Sequence, residues 1–489
     1  MSRLAERISL ILESSGLLSS ADCLACDVCC RFPEPTTHLA PWFSRMEQRQ
    51  ALTAGLTEGD FLPGDFGTGQ PIRLRSGDEL CTCPGFRSAE NRCALYSDRP
   101  LDCRLYPFML MYAQGGSEVW LGLDTYCPVL AGRIDDPRLS ECADRLTAEL
   151  EGPGSAEAAC HSGMVSDRQP HITPLRRLDA LTRHLCRSDL GLARAVPSAF
   201  DAWNQHLERE ENPLFSHAVA PTRIWSQCFD LRWKVSADCL LVFAQAEGDA
   251  FLLLPPVRGG DACAAAAEAV DILEGLEPGG RGARIQNASD GCRELLASRG
   301  WRPRESETEY LYRRADIAAL KGNRFEKKRQ LCNRFERDHN WIWRPFEPAD
   351  FPQVLSLARS WLEERSATHS DAYYVTQAEA SLHCLVLALR DAAALSLTSR
   401  VLESDGRIIA FTAGYPLLDG RTFCVLFEFV DHSVRGAAAF VYREFCRELA
   451  EFELINAGGA SGLATLERVK LSWRPCATRG AWVLLLPGA

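Results

Sequence analysis

The stretch Cys23-Leu-Ala-Cys26-Asp-Val-Cys29-Cys30 decides how the first part of this chain folds. A Cys-x2-Cys pair can place two thiolates on one metal ion, and Cys29 repeats that spacing. Cys30 follows immediately, and because adjacent side chains point apart, one of Cys29 and Cys30 can serve a second centre. The spacing therefore predicts that residues 23–127 fold around iron or zinc held by cysteine thiolates.

The cysteines of the chain are concentrated in this region. Nine of the 21 lie between Cys23 and Cys127, whereas a single four-ligand site needs only four. Either two metal sites exist here or some of the cysteines are spare. The region is also rich in Gly and Pro breaks, and a loop-rich fold of this kind needs cross-links, which bound metal supplies.

Length and charge limit the remaining possibilities. At 489 residues the chain is too long for one ordinary core, so we expect two or three domains. A net charge of −11 argues against a general nucleic-acid or membrane-surface binder. No apolar run reaches the length of a membrane span, and the N-terminus is too interrupted for a signal peptide. We therefore expect a cytoplasmic protein with no membrane partner, whose thiols stay reduced.

The cysteine-rich region resembles a known family. Its first four cysteines, followed by Cys93-Ala-Leu-Tyr-Ser-Asp-Arg-Pro-Leu-Asp-Cys103-Arg-Leu-Tyr-Pro, are similar to the YkgJ-type CxxCxxCC family over about residues 20–130. That family is described as chelating zinc or iron. With Cys127 added from the cluster itself, the resemblance implies these metal ligands: Cys23, Cys26, Cys29, Cys30, Cys83, Cys93, Cys103 and Cys127.

Three further positions follow from the same resemblance. Cys81 is extra by the family pattern, whereas Arg99 and Arg104 fall on its Arg-Pro and Cys-Arg pairs. We expect these two arginines to donate hydrogen bonds to the thiolates and so offset their charge. The metal itself stays open between an iron–sulfur cluster, non-haem iron and zinc, because thiolate ligation suits them alike.

The rest of the chain alternates helices and strands. A Gly-Pro-Gly-Ser stretch at 152–155 marks the first boundary, and two successive α/β units with antiparallel-rich sheets follow. We expect a cysteine-cluster domain at 1–150, a second domain at 170–315 and a third at 316–489, with a basic linking helix at 320–338. The predicted fold class is α+β or α/β.

The predicted basic helix is positively charged, whereas the chain as a whole has a net charge of −11. Segment 320–337 carries seven Lys or Arg residues against two Glu. Phe325, Cys332 and Phe335 can face a core at helical spacing, which leaves the cations free to contact phosphate. The alternative is an ordinary solvated helix face. The predicted tRNA-binding residues are Arg324, Lys327, Lys328, Arg329 and Arg334.

This helix, together with Lys470-Leu-Ser-Trp-Arg-Pro475, resembles the soluble domain of phosphatidylglycerol lysyltransferases over about residues 175–489. That family is a tandem pair of GNAT-like (acyltransferase) folds, similar to the Fem-type peptidoglycan aminoacyltransferases, and takes an aminoacyl group from tRNA. The resemblance implies a tandem GNAT fold and an aminoacyl-tRNA partner. It also places Lys470 and Arg474 near the transferred group, where they would hold a phosphate or an oxyanion.

One departure from that family concerns the substrate. Its acidic Asn-Arg-Glu-Glu-Asp stretch is replaced here by Asn456-Ala-Gly-Gly-Ala-Ser461, so the amino acid or acceptor recognised there is open. The flippase part of lysyltransferases is absent from this sequence. We therefore expect a small-molecule or peptide amine as acceptor rather than a lipid.

Two weaker sites complete the predicted set. Glu428, at the end of a predicted strand, can act as general base toward an amine, or it is a half-buried glutamate paired with an arginine. Arg435 and Gly436 begin a helix after a strand, where a GNAT fold would bind the pyrophosphate of acyl-CoA, an alternative donor. An ordinary strand-to-helix turn explains that segment equally well.

The leading hypothesis is an aminoacyl-tRNA-dependent acyltransferase that delivers an aminoacyl group to an amine and is coupled to a cysteine-ligated iron or zinc domain. The first alternative is an iron-dependent enzyme that oxidises or methylates a lysine-like side chain, in which the GNAT pair only binds the substrate or its carrier. The second is a non-catalytic structural zinc protein.

Overall fold

The protein folds into two compact units, residues 1–200 and 201–489, in a computed structural model. The structure describes residues 3–33, 37, 39–62, 69–77, 79–226, 228–246, 248–256, 260–368 and 372–486.

The first unit combines short strands with a small helical core. Its helices are α1 (Arg3–Ser14), α2 (Ser20–Leu24), α3 (Arg45–Thr53), α4 (Leu101–Leu105), α5 (Pro137–Glu151), α6 (Ser155–Ala159) and α7 (Asp179–Cys186). Its strands are β1 (Arg31–Phe32), β2 (Trp42–Ser44), β3 (Gly69–Pro71), β4 (Cys81–Thr82), β5 (Phe86–Arg87), β6 (Arg92–Cys93), β7 (Phe108–Tyr112), β8 (Val119–Asp124), β9 (Ile172–Arg177) and β10 (Ala193–Arg194).

Two cores hold this unit together. Helices α1, α5 and α7 pack on the antiparallel sheet β7-β8-β9, with Leu4 and Ile8 of α1 fully buried in the shared core. A second, smaller core surrounds the two-stranded pairs β1-β4, β2-β3 and β5-β6 and includes Cys81 and Cys83. Strands of two or three residues bury little apolar surface, so we expect bound metal to add to the stability of this part.

The second unit is built on one large sheet. Its helices are α8 (Phe200–Leu207), α9 (Val219–Trp225), α10 (Ala262–Leu276), α11 (Asp290–Ala297), α12 (Arg314–Ala319), α13 (Glu326–Asp338), α14 (Phe351–Thr368), α15 (Ala372–Arg390), α16 (Ala437–Glu448) and α17 (Ala464–Ser472). Its strands are β11 (Asp230–Ser236), β12 (Cys239–Ala246), β13 (Asp249–Leu252), β14 (Arg284–Ala288), β15 (Arg302–Arg313), β16 (Trp341–Pro345), β17 (Thr398–Ser404), β18 (Arg407–Pro416), β19 (Thr422–Val430), β20 (Leu454–Asn456) and β21 (Ala477–Leu485).

The strand order shows an internal repeat. It runs β11-β12-β13-β14-β21-β15-β20-β19-β18-β17-β16. In each half an antiparallel meander leads through a helix to a parallel strand: β13, α10 and β14 in the first half, β19, α16 and β20 in the second. Each half then adds a helix and a final strand, and these final strands are exchanged, because β21 pairs with β14 and β15 pairs with β20. The two halves therefore share one continuous sheet.

The domain boundaries predicted from the sequence remain predictions. The structure places β9 and α7 in the first unit, beyond residue 150, and the exchange of final strands ties the predicted domains 170–315 and 316–489 into one compact unit. No helix in the described ranges is long and apolar enough to cross a membrane.

Candidate functional site

The first candidate site lies in the second half of the second unit, where α13 and α16 pack against the sheet. Phe325, Cys332 and Phe335 are buried, as the helical spacing predicts. The Cβ that Gly436 lacks would lie 2.5 Å from the carbonyl oxygen of Leu331, so the glycine permits α16 to begin against α13. Lys328 of α13 lies within electrostatic range of Glu428 of β19.

Glu428 of β19 lies at the centre of this site. Its side chain is exposed to solvent, yet desolvation by the surrounding protein raises its pKa to about 7, against the attraction of Lys470 and Lys328. A carboxyl group with such a pKa can take up and release a proton near neutrality.

Lys470 is the first cation facing Glu428. Its side chain is 9% exposed, and its ammonium group donates to the carbonyl oxygens of Ala457 and, at 3.3 Å, Gly458. Burial lowers its pKa to about 8, although the neighbouring carboxylates, Glu307 first among them, oppose that shift. Lys470 therefore holds the loop that follows β20 and still contributes charge to the site.

Lys328 is the second cation, and the structure gives it a different position from the one predicted. Its ammonium nitrogen lies 4.2 Å from the centroid of the Trp473 ring instead of projecting from the helix surface. Burial lowers the pKa of Lys328, and the attraction of Glu428 opposes this. In the described part of the chain neither Lys328 nor Lys470 forms a direct ion pair with Glu428, although both attract its carboxylate.

Aromatic residues form a wall of the site; Trp473 belongs to the motif at 470–475, whereas Tyr442 was not predicted. The Tyr442 ring packs edge-on against Trp473 at 4.8 Å and against Tyr312 at 6.2 Å. The Tyr442 hydroxyl is buried and has no hydrogen-bond partner among the described residues, whereas the Tyr312 hydroxyl donates to the carbonyl oxygen of Lys470 at 3.0 Å. The helical position of Tyr442, facing a strand glutamate, was the only available signal in the sequence.

The loop that departs from the lysyltransferase pattern is folded around a carboxylate from another strand. Glu307 of β15 accepts hydrogen bonds from the backbone N–H groups of Ala460 at 3.0 Å and Ser461 at 2.8 Å. A Cβ at Gly459 would overlap the Glu307 carboxylate. The glycine is therefore needed for this contact, and the loop carries an acidic group although its own sequence has none.

The remaining cations of the basic helix are mostly engaged at the surface. Arg324 and Arg334 form ion pairs with neighbouring aspartates at 2.7 Å and 3.3 Å. Arg329 donates to the carbonyl oxygen of Leu320 at 2.6 Å and so braces the turn before the helix. Lys327 is exposed. The structure thus gathers Arg324, Lys327 and Arg334 on the surface and separates Lys328 from them.

Two other predicted residues lie outside the charge cluster. Arg474 follows Trp473 with a positive φ of 59°, and its side chain is exposed. Arg435 is exposed beside Gly436, whose φ is 95°. The packing of Gly436 against α13 accounts for a glycine there without a bound pyrophosphate. A pyrophosphate role for this pair and a catalytic role for Arg474 remain predictions.

The second candidate site is a cavity of about 300 Å³ in the first unit. All eight cysteines named above as metal ligands contribute to its wall, and among the described lining residues Cys81 does not occur. Cys81 instead pairs in register with Phe32 between β4 and β1. The structure thus brings together residues that are up to 104 positions apart in the sequence, from Cys23 to Cys127.

Backbone hydrogen bonds hold the segments that carry these thiols. The N–H of Cys83 donates to the carbonyl oxygen of Cys30 at 3.2 Å, which ties the first cysteine group to the second. The buried carboxylate of Glu47 accepts the N–H of Leu101 at 2.7 Å, where helix α4 begins, and α4 carries Cys103. Without metal, a hydrogen bond from the Cys30 thiol lowers the pKa of Cys29 to about 7.

The two arginines of this region have different roles. Contrary to the prediction, Arg104 donates no hydrogen bond to a thiol among the described residues. It donates to the carbonyl oxygens of Arg99 at 2.7 Å and Ser97 at 2.5 Å, which fixes the turn before α4. Arg99 lines the cavity, stacks on the Tyr96 ring at 4.2 Å, and its buried Nε has no hydrogen-bond partner among the described residues. A buried N–H group of this kind fits an anionic sulfur ligand.

The donor set of the cavity fits a metal centre. Eight thiols and a partnerless guanidinium N–H supply soft anionic ligands and a hydrogen-bond donor for them. Across the described ranges, no three metal-binding side chains converge on a point that could hold one ion. By their chemistry the cavity-lining cysteines are the residues that would hold a metal, although their positions here do not converge on one ion. A bound centre would supply either structural cross-linking or Lewis-acid or redox chemistry.

Comparison with family models decides the assignment of both units. The model of the phosphatidylglycerol lysyltransferase C-terminal domain matches residues 214–482, more than half of the chain. The chain belongs to this family. It is accordingly an acyltransferase of the aminoacyl-transferring type, as predicted. The CxxCxxCC model, a proposed zinc- or iron-chelating domain, matches residues 22–128. Both resemblances drawn from the sequence are thus confirmed.

Among the solved structures that match the chain, one has a similar fold over most of the second unit and two others match more weakly. A protein of unknown function from Bacteroides thetaiotaomicron is 23% identical with a TM-score of 0.55, over 60% of this chain and 99% of its own. The L-PGS structure from Bacillus licheniformis is 14% identical with a TM-score of 0.43, over 59% and 91%. A tandem GNAT protein from the clavulanic acid biosynthesis pathway is 12% identical with a TM-score of 0.36, over 61% and 99%.

The predicted fold class, a cysteine-rich domain followed by a tandem GNAT-like fold, is confirmed by the two family models and agrees with the internal repeat of the sheet. None of the curated proteins compared with the chain matches it.

Proposed function

We propose that the second unit transfers an aminoacyl group from an aminoacyl-tRNA to the amine of a small molecule or peptide. The observation that carries this proposal is the cluster of Glu428, Lys470 and Lys328, inside the region that matches the lysyltransferase family. A proton acceptor with a pKa near 7, facing two cations beside an aromatic wall, is what acyl transfer to an amine requires.

The chemistry follows from the positions of these groups. Glu428 takes a proton from the acceptor ammonium group, and the freed amine nitrogen forms a bond to the carbonyl carbon of the aminoacyl ester. The bond between that carbon and the ribose oxygen of the tRNA then breaks, and the proton held by Glu428 passes to the departing oxygen. The second proton of the former ammonium group leaves the new amide nitrogen for the ionised Glu428 and from there goes to solvent. The products are an amide and a free tRNA.

The exposed cations Arg324, Lys327 and Arg334 support a tRNA donor. They lie on one segment of a chain with a net charge of −11, where a phosphate backbone would otherwise be repelled. The alternative donor, acyl-CoA, would use Arg435 and Gly436. The two donors differ in their salt dependence, because tRNA binding through phosphate contacts weakens steeply with ionic strength.

The test is direct. The purified full chain is incubated with a pool of radiolabelled aminoacyl-tRNAs and a set of amines, and amide products are separated from hydrolysed amino acid. Glu428→Gln should abolish product formation, whereas Glu403→Gln, on β17 of the same sheet, should preserve it. Transfer from acyl-CoA but from no aminoacyl-tRNA would refute the tRNA donor.

A second function is favoured by the size and lining of the cysteine cavity. Eight thiols line this cavity of about 300 Å³, twice the four that one zinc ion binds at about 2.3 Å. We propose that this cavity holds an iron centre, in a reducing compartment such as the cytoplasm. It would then support oxidation or methylation of a lysine-like side chain, with the tandem GNAT fold binding the substrate or its carrier.

Metal analysis tests this second function. The protein is purified without oxygen, and iron, zinc and acid-labile sulfide are measured on the same sample. Iron with sulfide and absorption near about 400 nm supports an iron–sulfur cluster. Stoichiometric zinc in a colourless protein contradicts the iron centre and leaves a structural role for the unit.

A further inference from the structure

Lys328 differs from every other cation of the basic helix. Arg324 and Arg334 form ion pairs with aspartates at the surface, and Arg329 is bound to a backbone carbonyl oxygen. Lys327, its neighbour in sequence, is exposed. Lys328 instead turns inward and places its ammonium group on the Trp473 ring, within reach of the attraction of Glu428.

The hydrogen-bonding capacity of this ammonium group is unused. An ammonium group has three N–H donors, and a half-buried one normally finds acceptors for them. In the part of the chain that the structure describes, Lys328 Nζ has the Trp473 ring as its contact and no hydrogen-bond acceptor. A cation–π contact stabilises the charge but leaves the donors available to a ligand.

Lys470, which the sequence predicts near the oxyanion, already donates hydrogen bonds to the protein backbone. Two of its three donors point to the carbonyl oxygens of Ala457 and Gly458. Its ammonium group is consequently fixed in position by the loop after β20. Both lysines lie near the Glu428 carboxylate. Lys328 has N–H donors available for a substrate, whereas two of the Lys470 donors are bound to the protein backbone.

We infer that Lys328 is a catalytic residue that donates a hydrogen bond to the carbonyl oxygen of the aminoacyl ester as this oxygen becomes an oxyanion, while Lys470 acts as a positioning residue for the loop. This inference rests on the proposed acyl transfer.

Such an arrangement suits the reaction for a physical reason. Negative charge develops on the ester oxygen when the amine nitrogen bonds to the carbonyl carbon, and it disappears when the ribose oxygen leaves. A preorganised cation in a partly desolvated site stabilises that charge more strongly than water does. Trp473 holds the ammonium group in place through its π-face, so the donor needs no rearrangement during the reaction.

The first test separates catalysis from tRNA binding. Single-turnover transfer and tRNA affinity are measured for Lys328→Ala, with Lys327→Ala as the contrast on the same helix. We expect Lys328→Ala to lower the rate at saturating tRNA by about 100-fold, the usual loss for one oxyanion donor, with little change in tRNA affinity. Lys327→Ala should weaken tRNA binding and retain the saturated rate. Lys328→Arg should recover part of the lost rate.

If saturating tRNA restores the rate of Lys328→Ala, Lys328 is a tRNA-binding residue and the inference is overturned, while the proposed acyl transfer stands. A second measurement needs no substrate. The Glu428 carboxyl is titrated by NMR in protein labelled with 13C-glutamate. Removing the Lys328 charge should raise the pKa of Glu428, whereas Lys327→Ala should not change it. An unchanged pKa in Lys328→Ala would overturn the inference even if no transfer activity were found.

Discussion

The rate of acyl transfer should depend on pH as a narrow bell. The pKa of Glu428 is raised to about 7, so the base is ionised above that pH, and the pKa of Lys470 is lowered to about 8, so its ammonium charge is lost above that pH. The fraction of enzyme with both groups in the required state is largest at about pH 7.5. It falls about sixfold by about pH 6 and by about pH 9.

Single-turnover assays at saturating tRNA and acceptor, in buffers of constant ionic strength, measure this profile. Glu428→Gln should lose most of the activity, and its small residual rate should no longer fall toward acidic pH. Lys470→Arg should retain activity and move the alkaline limb upward, because a guanidinium stays charged throughout this range. Should the acidic limb of the residual rate persist at about pH 7 in Glu428→Gln, Glu428 is not the base and the assignment of the site is wrong.

Three further outcomes are expected. Gly436→Ala should lower the free energy of unfolding in urea by about 2–4 kcal/mol, because the φ of Gly436 is 95° and a carbonyl of α13 lies against it. As a control, Gly420→Ala should lower that free energy by about 1 kcal/mol, because Gly420 has a φ of 66° and open space around it. Cys29→Ser should reduce the bound metal measured by elemental analysis, and Cys81→Ser should not. Tyr442→Phe removes a buried hydroxyl that has no hydrogen-bond partner among the described residues. The free energy of unfolding should therefore stay unchanged or rise by up to about 1 kcal/mol.

Local patterns predicted the elements near the site closely. The apolar run predicts a strand at 407–416, where the structure has Arg407–Pro416, and a strand at 421–430, where it has Thr422–Val430. The helix predicted at 435–454 is shorter, Ala437–Glu448. These elements are buried along one face or throughout, so their own residues carry the signal.

Strand β15 shows why the remainder was not predicted. Its first half, Arg302 to Ser306, is exposed, so no alternation of apolar residues reveals it. Its partners β20 and β21 lie more than 140 residues later in the sequence. Pairing at that distance depends on tertiary packing and leaves no local pattern. The same reason explains why Glu307, which lies on this strand, was not predicted as part of the site.

The sequence indicates which residue types lie near the candidate site better than it indicates their positions. A run of cations on one helix predicts a surface for phosphate. Arg324 and Lys327 are exposed, and their contact with phosphate remains a prediction. Periodicity alone cannot show that Lys328 lies on the boundary between the buried and the exposed face. Its position depends on Trp473, which reaches it from a segment 145 residues further along the chain.

The loop after β20 has a consequence for substrate choice. The lysyltransferase pattern carries acidic side chains in this loop, and here the segment reads Asn456-Ala-Gly-Gly-Ala-Ser461. The negative charge is nevertheless present, because Glu307 enters from β15 and the glycine leaves room for it. Both Glu307 oxygens accept hydrogen bonds from loop N–H groups, so the carboxylate is fixed in position and the backbone partly neutralises its charge. A site of this kind attracts the α-ammonium group common to all aminoacyl esters more than it selects a second, side-chain cation. An aminoacyl donor with a neutral side chain should therefore be used at least as well as one carrying lysine, and a strong preference for lysine would contradict this account of the loop.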